Sequence, residues 1–185
     1  MLVNALVDVE VVALEQEDEV TVMLDLAAPG APTDAARPPA AVQVVLDRSG
    51  SMAGAKLATA KRAALAVLAN LDERDRAAIV VFDDRIDLLQ AREPVTIALQ
   101  DRVRRRLERV EARATTALHQ GWLTGCQTIA GDHTPQAEGT LARCFLLTDG
   151  LANVGLTDPE AIASQAAGVR ENAGISTSTF GIGAD

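Results

Sequence analysis

The sequence predicts an α/β fold: a mainly parallel sheet flanked by helices. Three observations carry this. Apolar runs such as Val42-Gln43-Val44-Val45-Leu46 and Cys144-Phe145-Leu146-Leu147 suit strands buried on both faces. From about residue 41 onward such strands alternate with stretches of helical periodicity, the pattern of a parallel sheet with helical crossovers. One Trp, three Phe and no Tyr leave the core to Val, Leu, Ile and Ala, and 185 residues suffice for one domain but not two of ordinary size.

The elements follow in order. Val3 to Val12 and Val20 to Leu26 are apolar runs separated by the acidic turn Glu15-Gln16-Glu17-Asp18-Glu19, which predicts a hairpin. Pro29 to Pro39 is a linker by composition, so residues 1–40 form an N-terminal β-rich arm with a Pro-rich linker, and 41–185 the main domain. Strand 42–46 ends in Asp47-Arg48-Ser49-Gly50-Ser51-Met52. A helix over 55–71 follows, with Leu57, Ala60, Ala64, Leu65, Leu68 and Leu71 on one face. Strand 77–82 comes next, and after the Asp83-Asp84 turn Ile86 to Gln90 reads as a short edge strand. A second helix covers 98–112; Val103, Leu107 and Val110 make its seam, and Arg102, Arg104, Arg105, Arg106 and Arg109 a solvated face. The third, 117–130, places Leu118, Trp122, Cys126 and Ile129 toward the core. Strand 142–148 leads to Thr148-Asp149-Gly150. A fourth helix opens at Thr157-Asp158-Pro159-Glu160, with Glu160 three residues after Thr157 as in a capping box, and closes at Gly174. Ile175 to Ile182 is the last strand.

A net charge of −9 excludes a nucleic-acid binder, which needs a basic face. Cys126 and Cys144 are too few for a disulfide framework and read as buried free thiols in a reducing compartment. The N-terminus lacks a basic region followed by a sustained apolar stretch, and no segment reaches the roughly 18 apolar residues that cross a bilayer. The expectation is a cytoplasmic protein.

In an open α/β sheet, ligands sit beyond the carboxyl ends of the strands, and Asp47 and Asp149 both follow a buried strand there. Asp47-x-Ser49-x-Ser51 offers a carboxylate and two hydroxyls from one turn, a hard-oxygen set suited to Mg²⁺, Mn²⁺ or Ca²⁺. Two aspartates only just neutralise such an ion, so an open position would favour an incoming carboxylate. Taken alone the spacing is common, and an Asx-type turn or a helix cap explains it equally well.

The run Val44 to Met52 resembles the metal-ion-dependent adhesion site of von Willebrand factor A domains. Leu146-Leu147-Thr148-Asp149-Gly150, with Asn153 and Gly155, is similar to the family's later acidic element, and Thr116 to Trp122 to the segment that supplies its threonine. The resemblance covers 41–185 and is to the bacterial type. It implies a Rossmann-like, doubly wound sheet with a cation held by Asp47, Ser49, Ser51, Thr116 and Asp149, Thr115 being the rival to Thr116. It also implies at least one more helix and a strand beyond Asp185, and an N-terminal arm like the β-region of some larger bacterial members.

Competing chemistries fail on single residues. A P-loop needs Gly directly before Lys, and Ala55 intervenes before Lys56. A haloacid-dehalogenase-type phosphatase needs a second aspartate where Ser49 stands. Acyl transfer has only His119 and His133 as bases, neither in a nucleophile motif, and His119 reads as a solvent-exposed helix residue. Two classes remain. One is a non-enzymatic binding module whose Mg²⁺ (or Mn²⁺ or Ca²⁺) accepts an acidic residue of a partner protein, such as a MoxR-type or chelatase-type ATPase. The other is a metal-assisted hydrolase using the same ion. The lack of a general base beside the aspartates favours binding.

Overall fold

A computed structural model describes residues 2–7, 22–27, 37–113, 115–130, 139–150 and 153–183. The chain divides between Arg37 and Pro38 into two compact units. In the first, β1 (Leu2–Val7) pairs antiparallel with β2 (Val22–Ala27), Leu2 opposite Ala27. The expected hairpin pairing is present; the acidic turn, residues 8–12 of the first run and linker residues 29–36 lie outside the described residues.

The second unit is the doubly wound α/β sheet. Its central strand β3 (Ala40–Asp47) pairs in parallel with β4 (Arg76–Phe82) on one side and β6 (Leu141–Thr148) on the other. Parallel β7 (Ile175–Gly181) extends the sheet beyond β6, and β5 (Ile86–Pro94) closes the other edge antiparallel to β4, giving the order β5-β4-β3-β6-β7. The chain leaves β3 toward β4 and returns on its other side as β6. The β3/β6 boundary is therefore the switch point where such sheets open a crevice.

β3 shows why the sheet is covered on both faces. Val42, Val44 and Leu46 pack with Leu57, Ala60, Ala64 and Leu68 of α1 (Ala55–Ala69) and Leu99, Val103 and Leu107 of α2 (Ile97–Glu108). Ala41 and Val45 face the other way, onto Leu118, Trp122, Cys126 and Ile129 of α3 (Leu118–Ala130). Cys126 of α3 and Cys144 of β6 are free and buried. Helix α4 (Pro159–Ala173) covers the remainder more loosely, with Ile162, Ala166 and Val169 half-buried. No described helix is long and apolar enough to cross a membrane.

Three boundaries differ from expectation for local reasons. β5 runs to Pro94, past Gln90: polar Arg92 and Glu93 hide a strand in the sequence, but an irregular ladder to β4 carries them at an edge where polar side chains reach water. α2 stops at Glu108, because the backbone N–H of Arg113 turns to the Arg48 carbonyl at 2.9 Å. α4 is capped by Asp158, whose side chain accepts the Glu160 N–H; Pro159 takes the first helical position, so Thr157 lies outside the cap and no capping box forms. The arginine face of α2 is solvated as expected, with Arg104, Arg105, Arg106 and Arg109 exposed, while Arg102 pairs with Glu93 and Arg106 donates to the Leu89 carbonyl.

α3 lies close on the sheet because two of its residues lack a side chain. A Cβ on Gly125 would stand 2.3 Å from Val45 Cγ2, and one on Gly121 would stand 2.5 Å from Phe82 Cγ. Gly125→Ala should therefore destabilise by about 1–3 kcal/mol in chemical denaturation, the usual cost of overpacking. Gly168→Ala on α4, whose Cβ meets nothing nearer than 3.9 Å, should stabilise by about 0.4–1 kcal/mol.

Candidate metal centre

Asp47 is the last residue of β3 and is fully buried. Its Oδ1 accepts the Ser49 N–H at 2.7 Å, and its Oδ2 accepts the Thr148 hydroxyl at 2.7 Å. The first bond is an Asx turn, so that local reading of the D-x-S-x-S spacing is realised here. The second fixes the carboxylate against the end of β6. The alternative of a helix cap is not realised, since Gly54 occupies the N-cap of α1. The Ser49 and Ser51 hydroxyls lie 3.1 Å apart, Ser49 buried and Ser51 exposed in the 3-10 turn Gly50–Met52.

Asp149 follows β6 immediately, with only 3% of its side chain exposed. Its Oδ2 accepts from Lys56 Nζ at 3.4 Å, and its Oδ1 is buried without a hydrogen-bond partner. Burial pushes the Asp47 carboxyl above its ordinary pKa, the Thr148 and Ser49 hydrogen bonds pull it back, and the Asp149 charge adds to the rise. Two carboxylates thus repel each other at the switch point with little water to screen them.

The threonine comes from the loop between α2 and α3. Thr116 is buried and Thr115 exposed. The Thr116 N–H donates to Asn153 Oδ1 at 2.8 Å, and its carbonyl accepts from the N–H groups of Asn153 and Val154, so the segment after Asp149 is tied to the threonine loop. The sheet holds that loop from the other side: Arg113 N–H donates to the Arg48 carbonyl and Ala117 N–H to the Asp83 carbonyl. Asp47, Ser49 and Asp149 are thus linked directly or through Thr148, Ser51 through Ser49, and Thr116 through Asn153. Among the described residues no group of three His, Cys, Asp or Glu side chains is placed to hold a metal, so a site here has to draw on hydroxyls.

An ion-pair network beneath the loop is absent from the expectations drawn from sequence. Arg48, the residue between Asp47 and Ser49, turns away from the aspartates. Its Nε donates to the fully buried Asp83 at 3.0 Å, and its guanidinium also pairs with Asp87. Arg113 pairs with the same two carboxylates. Burial pushes the Asp83 carboxyl up, but the Arg113 hydrogen bond, the Arg85 N–H and the charges of Arg48 and Arg113 outweigh it and hold the group below its ordinary pKa. Adjacent acidic residues in a turn after a buried strand were the one available signal. His119 is part-exposed on α3, its Nε2 2.7 Å from Gln165 Oε1 of α4; His133 lies outside the described residues.

Residues 42–151 match the family model described as von Willebrand factor type A domain. An uncharacterized protein of Synechocystis sp. is 37% identical over 111 residues, covering 58% of this chain and 24% of that protein. Human inter-alpha-trypsin inhibitor heavy chain H4 is 28% identical over 148 residues, covering 78% of this chain and 16% of the heavy chain. The chain therefore spans a quarter or less of the length of these relatives. Among solved structures, a von Willebrand factor type A protein from Catenulispora acidiphila is similar with TM-score 0.63 at 20% identity, over 90% of this chain and 36% of that one. The conserved hypothetical protein BatB from Bacteroides thetaiotaomicron gives TM-score 0.57 at 21% identity, over 78% and 66%. At such identities these likenesses speak for the fold alone.

The Asp83 network generates a stability test. Asp83→Asn removes the buried one of the two carboxylates that pair with Arg48 and Arg113 and should cost about 1.5–3 kcal/mol at neutral pH. The folded-state pKa of Asp83 lies below its ordinary value of 3.8, so its contribution is present above 3.8 and is lost as pH falls through the lower folded value. Denaturation curves should accordingly show the gap between wild type and variant closing as the pH drops below 3.8.

Proposed function

We propose, from the premise that the chain belongs to the von Willebrand factor type A family, that it is a divalent-cation-dependent protein-binding module. The family is one of protein-interaction and adhesion modules. The observation that carries the cation is Asp149 Oδ1: a carboxylate oxygen buried without a hydrogen-bond partner, beside a second buried carboxylate of like charge. A buried acceptor left without a partner is costly, and a divalent cation would remove both the repulsion and the orphaned acceptor.

The residues present fit such an ion. Asp47, Ser49, Ser51, Thr116 and Asp149 offer oxygen only, the donor set of Mg²⁺, Mn²⁺ or Ca²⁺. Asp47 is held by Ser49 N–H and the Thr148 hydroxyl, yet each of its oxygens keeps a second lone pair. Thr116 is preferred to Thr115 because Thr116 is the buried one, steadied by Asn153. The ion, when bound, supplies an electrophilic point that two carboxylates neutralise without excess. The chain's own residues orient the donors and exclude water, and the exposed position of Ser51 leaves one side open to a partner's carboxylate. The partner is thus a protein presenting an acidic side chain, an ATPase of the MoxR or chelatase type being one such class. The hydrolase alternative has no observation in its favour: the described histidine nearest in sequence to Thr116, His119, is engaged with Gln165.

Mg²⁺ or Mn²⁺ at ten times its Kd should add about 1.4 kcal/mol, a rise in melting temperature of roughly 3–6 °C. Asp47→Ala, or Asp149→Asn where the first variant folds poorly, should abolish that shift, and EDTA should release a partner captured by the wild type. No calorimetric heat at millimolar metal would sink the cation, and capture indifferent to EDTA would sink its role in binding.

A further inference from the structure

Lys56 stands where a lysine is not expected. It is the second residue of α1, in the first turn of the helix, where a positive charge opposes the helix dipole. Its ammonium nevertheless reaches across to Asp149 Oδ2 at 3.4 Å, the lysine side chain 28% exposed and the aspartate 3%. The segment after β7 accommodates it through a missing side chain. A Cβ on Gly183 would stand 3.1 Å from Lys56 Cε and 3.5 Å from Nζ, on backbone with φ +135°. Lys56 is thus brought to Asp149 by the start of α1, in space that the missing side chain of Gly183 leaves free. The opposite oxygen of the same carboxylate is the one buried without a partner.

We infer that Lys56 is an internal competitor for the cation: it partly neutralises the aspartate pair before an ion arrives and so sets the concentration at which the site fills. This rests on the metal-binding reading above. A divalent ion between Asp47 and Asp149 meets the ammonium as a neighbouring like charge, and Asp149 has to share its negative charge between the two. The ion gains more than the lysine from the carboxylate pair, because it interacts with both aspartates while Lys56 bonds only Asp149 of the two. The lysine therefore weakens occupancy without blocking it. The same contact steadies the metal-free form, which otherwise holds two repelling carboxylates in a water-poor crevice.

The test is calorimetric titration of Mn²⁺ alone into the wild-type chain, Lys56→Met, Lys56→Arg and Asp47→Ala at fixed pH and ionic strength, with melting curves of each metal-free protein. Lys56→Met keeps the aliphatic packing and should bind Mn²⁺ roughly threefold to tenfold more tightly, a part-exposed charge being screened by solvent. Lys56→Arg should stay within about twofold of wild type, since the charge is retained. Metal-free Lys56→Met should melt lower than wild type, so that its metal-induced rise is larger, and added salt should narrow the affinity gap. Binding by Lys56→Met alone, with none to wild type, would support the competition in its strongest form. Equal or weaker binding by Lys56→Met, with wild-type binding intact and lost in Asp47→Ala, overturns the role of Lys56 and leaves the metal reading standing. Absence of Mn²⁺ binding in both wild type and Lys56→Met overturns the metal reading, and this inference with it.

Discussion

Two carboxylates of like charge, Asp47 and Asp149, are buried at the ends of neighbouring parallel strands, and much of the surrounding structure answers that constraint. Strand order puts them there: β3 and β6 are adjacent in the sheet though separated by three α-helices and two strands in the chain. Each neighbouring group then softens the repulsion. Ser49 and Thr148 donate to Asp47, and Lys56 donates to Asp149. These bonds do not use up the acceptors, and Asp149 Oδ1 stays buried without one. This partly compensated pair of carboxylates is the basis of the proposed cation site, to which the nearby hydroxyls would bring more oxygen without more charge.

The proposed site draws on three separate pieces of chain, so its geometry would depend on the fold. The Asp47 turn and Asp149 belong to the sheet and inherit its rigidity. Thr116 belongs to a loop, and its position depends on bonds at both ends: Arg113 to Arg48 and Ala117 to Asp83 on one side, Asn153 on the other. Arg48 couples the two ends. The residue between two of the candidate ligands is the anchor of the buried Asp83 network, so the turn and the threonine loop share one foundation. The close approach of α3 at Gly121 and Gly125 fixes the element that follows Thr116.

The sheet was legible because buried parallel strands are continuous apolar runs and the helices between them are amphipathic. β3, β4 and β6 lie within two residues of their expected bounds. β5 was only half legible, since an edge strand tolerates Arg92 and Glu93, and a strand that depends on its neighbour's ladder leaves little signal of its own. Of the site, the D-x-S-x-S turn and Asp149 could be located from strand ends. Between Thr115 and Thr116 the resemblance favours Thr116, by its distance to Gly121 and Trp122, and the burial of Thr116 points the same way. Arg48, Asp83 and Lys56 were hidden because each acts across more than 30 residues of sequence: Arg48 and Asp83 are 35 apart and Lys56 and Asp149 are 93 apart. Lys56 did carry a local clue, a cation at a helix N-terminus, which makes sense only with a partner from elsewhere in the fold.

Anomalous diffraction from crystals grown with Mn²⁺ addresses the central claim most directly, because it locates the ion without relying on a change in stability. The account predicts one strong peak among Asp47, Ser49, Ser51, Thr116 and Asp149, at the carboxyl ends of β3 and β6. A Mn²⁺-saturated crystal with no peak there, or with its peak only at surface carboxylates, would contradict it.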